Sequence, residues 1–159
     1  MTVLSDKSII DLVKKEEITI NPFQKENLTP NGYDLTVEEV EIPGKQKTVA
    51  DSLTIPPGER FAISTKEIIS CGENHCAQLW LRTSWARKGI ICSFGKIDSG
   101  FKGNLTLLGL NSSKHEVEIV IGNTFAQIVF EKLSTPADEL YSERSGNYQN
   151  QKGITWSKE

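Results

Sequence analysis

The sequence predicts a mainly β domain, an antiparallel sandwich, jelly roll or barrel, preceded by one short helix. Two observations carry this. Between Asn21-Pro22 and Leu133 nearly everything reads as short β-rich runs separated by turn residues. Ahead of them, Ile9, Ile10, Leu12 and Val13 recur on one face at helical spacing. The 159 residues fit one domain, large enough to bury a core without a disulfide or metal staple.

The helix has its own start signals. Ser5 can accept from the first free N–H groups, Asp6 suits the positive end, and Leu4 can staple onto Ile9. Lys14 and Lys15 suit its closing turn. The β-rich runs then follow as Tyr33 to Ile42, Arg60 to Ser64, Ala77 to Thr83, Ile90 to Phe94, Asn104 to Asn111, Glu116 to Ile121 and Phe125 to Leu133. Glu116-Val117-Glu118-Ile119 alternates polar and apolar residues, as a half-buried strand does. Pro43-Gly44, Pro56-Pro57-Gly58, Ser99-Gly100 and Gly122-Asn123 break the runs. Gly109, within Leu107-Leu108-Gly109-Leu110, marks a bulge or a close backbone approach. Residues 134–159 hold few large apolar groups and cannot build a core, so they read as a frayed tail or as an arm that orders over a ligand or a neighbouring subunit.

Composition removes several classes. Charged residues are 25%, with 18 Lys+Arg against 21 Asp+Glu, and neither a basic balance nor a basic run points to nucleic acid. No window approaches a membrane span, and the opening MTVLSDKSIIDLVKKEE is too acidic and interrupted for a signal peptide. Cys71, Cys76 and Cys92 make an odd number, which reads as reduced thiols in a cytoplasmic protein. Cys71, His75 and Cys76 look like half a zinc site, but a second ligand pair is missing. Of the two histidines, His115 falls in a predicted solvated hairpin turn, Ser112 to Glu116, and no hydrolase elbow, Walker loop or zinc-protease motif is present.

The chemistry concentrates between Leu81 and Gly103. Arg82, Arg87, Lys88, Lys96 and Lys102 accompany the hydroxyls of Thr83 and Ser84, a donor set suited to phosphate oxygens. Asp98 falls among these cations, in a loop signalled by Ser99-Gly100. A carboxylate beside a phosphate site holds a metal or orients and deprotonates a water. A solvated loop with a structural Asp is the plain alternative.

These residues carry a family resemblance across nearly the whole chain. Asn31-Gly32-Tyr33-Asp34-Leu35 resembles the A-G-Y-D-L and A-S-Y-D-L motifs of the dUTPase / dCTP deaminase superfamily. Arg82-Thr83-Ser84-Trp85-Ala86-Arg87-Lys88-Gly89 resembles the deaminase R-S-S-L-A-R-x-G, with Thr83 keeping the hydroxyl of a serine. Gly95-Lys96-Ile97-Asp98-Ser99-Gly100-Phe101-Lys102-Gly103 is similar to both the dUTPase and the deaminase loop. Phe125 to Phe130 is similar to I-A-Q-L-V-F, and Tyr148 to Gly153 to the deaminase tail. The opening residues, from Leu4 to Ile10 and from Ile18 to Phe23, are also deaminase-like.

The resemblance implies a distorted antiparallel jelly roll, or β-clip barrel, over residues 1–133, with 134–159 as an arm closing over the active site. It implies a homotrimer with sites between subunits, acting on dUTP or a related pyrimidine deoxynucleotide. Arg82, Thr83 and Ser84 would hold the triphosphate, Gln127 would add an amide contact, and Arg87 would pair with a phosphate or carboxylate at the subunit boundary. Asp98 would be catalytic, and Phe101 would lie under the deoxyribose. Tyr148, Gln151 and Lys152 would belong to the arm, and Asp34 would reach a Mg²⁺ through water, the metal being held mainly by the triphosphate.

The reaction turns on one position. The deaminases place a proton-shuttling glutamate in the strand after the Asp loop, where this chain has Leu108. An alkyl side chain moves no protons. The expectation is therefore a dUTP diphosphatase, an enzyme releasing dUMP and pyrophosphate. The alternatives are a dCTP deaminase, a bifunctional enzyme, or a non-catalytic nucleotide-binding trimer. The hairpin from Ile90 to Lys96, where the family reads the pyrimidine edge, is shorter here than in the family.

Overall fold

The computed structural model describes residues 2–157; Met1, Lys158 and Glu159, at the ends of the two predicted segments, lie outside the described residues. In chain order the elements are β1 (Thr2–Val3), α1 (Asp6–Lys14), β2 (Ile18–Asn21), a 3₁₀ turn (Lys25–Asn27), β3 (Leu28–Thr29), β4 (Gly32–Ile42), β5 (Gln46–Thr48), β6 (Ser52–Ile55) and β7 (Arg60–Thr65). They continue with β8 (Ile68–Cys71), β9 (His75–Leu81), α2 (Thr83–Ala86), β10 (Ile90–Cys92), β11 (Lys96–Ile97), β12 (Lys102–Gly103), β13 (Thr106–Asn111), β14 (Val117–Val120), β15 (Thr124–Lys132) and α3 (Tyr141–Arg144).

The main sheet runs β10-β13-β7-β4-β15-β9-β11, with β1 added on β15 and β3 and β5 on β4. Smaller sheets pair β12-β8-β2 and β14-β6, and every pairing is antiparallel. The whole is the mainly β, curled antiparallel jelly roll that the strand pattern predicts. Its core is filled from alternate positions of the long strands, among them Tyr33, Leu35, Ile63, Leu107, Ile119, Phe125, Ile128 and Phe130. Phe125 is the aromatic hub, edge-on to Phe61 at 6.1 Å and tilted against Trp85 at 5.3 Å.

Helix α1 forms as its local signals require. Ser5 is the N-cap and accepts from the Ser8 N–H at 3.4 Å, while Leu4 and Ile9 are both buried in the core. Elsewhere tertiary pairing overrides local reading. Thr83 does not end a strand: β9 stops at Leu81, and Thr83 opens α2, whose Trp85 is buried and donates its indole N–H to the Thr124 carbonyl at 2.9 Å. The segment from Ile90 to Lys96 is not a self-paired hairpin. Its β10 end pairs with β13 and its β11 end with β9, so it crosses between the two edges of the main sheet.

Gly109 is the close approach its position suggests. A Cβ there would stand 2.3 Å from Cζ of Phe61, the residue opposite it on β7. Gly109→Ala must push that buried ring off Phe125, so the expected loss is about 1–3 kcal/mol, read as a lower urea midpoint at unchanged slope.

Candidate functional site

Asp98 leaves the two-residue strand β11, which is fixed on β9 by the pairs Lys96↔Gln78 and Ile97↔Ala77. The turn after it is tied down on three sides. The Ser99 hydroxyl donates to the His75 carbonyl at 2.7 Å, the Gly100 N–H donates to the Cys71 carbonyl at 2.8 Å, and the Phe101 N–H donates to the Asp98 carbonyl at 3.2 Å. Gly100 has φ +81°, and a Cβ on it would meet Leu140 at 2.6 Å, so this turn needs a glycine. The Asp98 side chain is exposed, on a backbone that is held.

A cavity of about 350 Å³ opens in front of Asp98. Lys96, Phe101, Leu105, Thr106 and Leu108 line it from the barrel, and Tyr141, Tyr148, Gln151, Thr155 and Trp156 line it from the tail. Asp98 is the one acidic residue among its described lining residues. The ring of Phe101 is buried and meets Tyr141 edge-on at 5.6 Å. Leu108 is 39% exposed and turns its alkyl chain to this cavity, so the position the resemblance singles out does belong to the same chamber as Asp98.

The tail lies against the barrel of its own chain. The Asn150 N–H donates to the Lys102 carbonyl at 2.7 Å, and the Gln151 amide donates to the Asn104 carbonyl at 2.5 Å. The Thr155 N–H donates to Thr106 Oγ1 at 3.0 Å, the Ile154 N–H to Glu39 at 3.0 Å, and the Trp156 indole to Glu41 at 3.1 Å. Polar bonds to side chains and carbonyls of the barrel replace the apolar core the tail lacks. Trp156, Thr155 and Thr106 are cavity residues that the motifs did not mark. A lone tryptophan in a polar tail was the available signal for the first.

The cationic residues gather elsewhere. Arg82, Ser84, Arg87 and Lys88 line a second, open cleft of about 850 Å³ with His115 and Asn123. It shares no lining residue with the Asp98 cavity, so the sequence-based picture of Asp98 amid five cations needs correction: among the described residues, Lys96 is the one of the five that lines its chamber. The separation follows from topology: Arg82 follows the far end of β9 at Leu81, whereas Asp98 follows Ile97, which pairs with Ala77 near the start of β9. Arg82 is held by Asp34, with Nε 3.0 Å from the carboxylate, and by the Thr124 hydroxyl. Burial raises the Asp34 carboxyl above its ordinary range, and the Arg82 guanidinium and the Gln127 amide pull it back. Gln127 sits opposite Asp34 on β15 and donates to the Thr29 hydroxyl at 2.9 Å. Thr83 is exposed at the start of α2, and Lys152 is exposed and lines neither chamber.

No three His, Cys, Asp or Glu side chains converge to hold a metal among the described residues. Cys71 and Cys76 are buried free thiols, so the half zinc site gains no second pair. No helix among the described residues is long and apolar enough to cross a membrane.

Residues 3–133 match the protein family described as dCTP deaminase-like. The chain belongs to that family. The dCTP deaminase of Thermococcus kodakarensis is 42% identical over 147 residues, covering 91% of this chain and 93% of the relative. A protein of Sulfolobus islandicus rod-shaped virus 1, named probable deoxyuridine 5′-triphosphate nucleotidohydrolase, is 34% identical over 160 residues, covering 99% of both. The crystal structure of the dCTP deaminase from Agrobacterium tumefaciens shares the fold with a TM-score of 0.70 at 16% identity. It is matched over 83% of this chain, which spans about half, 49%, of that longer chain. The motif resemblance to the dUTPase / dCTP deaminase superfamily is thus confirmed at the level of the family.

Proposed function

We propose that this dCTP deaminase-like protein is a dUTP diphosphatase. The observation that carries the reading is Leu108: the chamber in front of Asp98 has an alkyl wall where deamination would need a second proton-moving group. One exposed carboxylate on a rigid turn suits a simpler task. Asp98 orients a water toward the α-phosphorus and accepts its proton as the bond to the β-phosphate oxygen breaks, giving dUMP and pyrophosphate. Phe101 supplies an apolar floor for the deoxyribose, and Tyr148 and Gln151 cover it from the tail, whose exposed Lys152 would be a further phosphate contact. The substrate is the magnesium complex of dUTP. The donor set fits a metal carried by its phosphates, because Asp34 is already bound by Arg82 and is left with a water-mediated contact at most. Once bound, Mg²⁺ supplies charge neutralisation at the phosphate oxygens.

Arg82, Ser84 and Arg87 line a chamber separate from that of Asp98, so together with Thr83 and Gln127 they would act on a triphosphate bound between copies. A homotrimer in which each copy lends its cationic cleft to a neighbour's Asp98 chamber would complete three sites. The named relatives favour one other reading, a dCTP deaminase, since the one at 42% identity carries that name. Incubating the protein with magnesium and each nucleotide separately tests both. Pyrophosphate from dUTP, with no ammonia from dCTP, is the expected result; ammonia from dCTP would reverse the assignment.

A further inference from the structure

Behind Asp98 stands a charged pair that the reaction described above does not use. Glu131, on β15, is only 5% exposed. Its carboxylate accepts from the Gln78 amide at 2.9 Å, lies 3.6 Å from the Lys96 ammonium, and accepts weakly from the Cys76 thiol at 3.8 Å. A buried carboxylate is strongly unfavourable without such partners. The three groups that satisfy it come from β9 and from β11, so one carboxylate ties three neighbouring strands together.

The tie falls where the sheet is weakest. Strand β11 is two residues long and lies at the end of the main sheet, with β9 as its sole neighbour along that path. A pairing that short supplies little stability of its own. Lys96 opens β11, sits opposite Gln78, and stands two positions before Asp98. Its stem also lines the chamber into which Asp98 projects. We infer that Glu131 and Lys96 are positioning residues for Asp98: the buried carboxylate draws Lys96 inward, clamps β11 against β9, and so sets the direction in which the Asp98 carboxylate leaves the strand. This rests on the reading of Asp98 as the group that orients water. A catalytic base displaced by about 1 Å loses on the order of 10²-fold in rate, so a clamp at this point is worth keeping buried.

The test uses the full chain with Mg²⁺ and dUTP, and the variants Glu131→Gln, Lys96→Met and Lys96→Arg. Glu131→Gln and Lys96→Met are each expected to lower kcat about 10- to 100-fold with KM changed less than about threefold. Lys96→Arg keeps the cation and is expected to stay within about threefold of the parent. The double variant Glu131→Gln/Lys96→Met, which leaves no unpaired buried charge, is expected to match the slower single variant, because both changes act through one placement. Amide hydrogen exchange provides a readout that needs no turnover: the Ile97 amide should exchange about tenfold faster in Glu131→Gln, with β7 amides unchanged. Unchanged kcat and unchanged Ile97 exchange would overturn the clamp, and so would a loss confined to KM, which would make Lys96 a substrate contact. Failure of the parent protein to release pyrophosphate from dUTP would instead count against the diphosphatase reading, and the Ile97 exchange result would still decide the clamp.

Discussion

Asp98→Asn is expected to lower kcat for dUTP by about 10²–10⁴-fold while nucleotide binding and thermal stability change little. The side chain is exposed, and the turn it sits on is held through backbone groups and Ser99, so an isosteric amide disturbs no packing. What it removes is the one acidic group among the described residues that line the chamber. An amide can still hold a water by hydrogen bonding but cannot take its proton as the oxygen attacks phosphorus. The loss should therefore appear in kcat, with KM and the affinity for a non-hydrolysable dUTP analogue close to the parent's. Pyrophosphate release and titration calorimetry on the same preparation measure both. Parent-like turnover in this variant would remove Asp98 from the mechanism altogether.

The legible parts of the fold are those decided locally. Ser5, Leu4 and Ile9 announce α1 because a cap and its staple lie within one turn. The long strands β4, β13 and β15 carry enough alternating or apolar residues to be read directly, and the structure moves their ends by only a residue or two. Strands β11 and β12 were not legible, since Lys96-Ile97 and Lys102-Gly103 have no pattern of their own and become strands only because β9 and β8 offer edges. Helix α2 was hidden for a related reason. The run from Ala77 reads as continuous β, and what stops it is the burial of Trp85 against Phe125.

The candidate site divides along the same line. Asp98 and Phe101 were visible because their loop motif is contiguous, and Leu108 because it falls at a fixed place in the strand that follows. The Arg82–Asp34 pair was not, because β4 and α2 are brought together only by the strand order. Nor could sequence order show that Arg82 and Asp98, so near in the chain, open into different chambers. A strand that reverses the chain across a barrel separates near neighbours as readily as it joins distant ones.

That Arg82–Asp34 pair makes Arg82→Ala a prediction with two separable consequences. As a proposed triphosphate ligand, Arg82 supplies charge-assisted donors that strengthen as charge develops on the phosphates, so kcat/KM for dUTP should fall by about 10²–10³-fold. As the counter-ion of Asp34, it also bears on stability. The Asp34 side chain is 13% exposed, and losing its partner should cost about 2 kcal/mol at neutral pH, less than for a fully buried pair because Arg82 is itself 39% exposed. Burial already raises the Asp34 carboxyl and Arg82 opposes that rise, so removing Arg82 raises it further. The folded variant then binds a proton more readily than the unfolded chain does. A raised carboxyl contributes its stability below the ordinary carboxylate range, about pH 4, and loses it as pH climbs through the folded-state value. The deficit relative to the parent should accordingly be largest at pH 7–8 and shrink toward pH 5, as read from paired urea melts. Equal deficits at both ends would mean that Asp34 does not carry the cost, whereas the kinetic loss, if present, would still assign Arg82 to the phosphates.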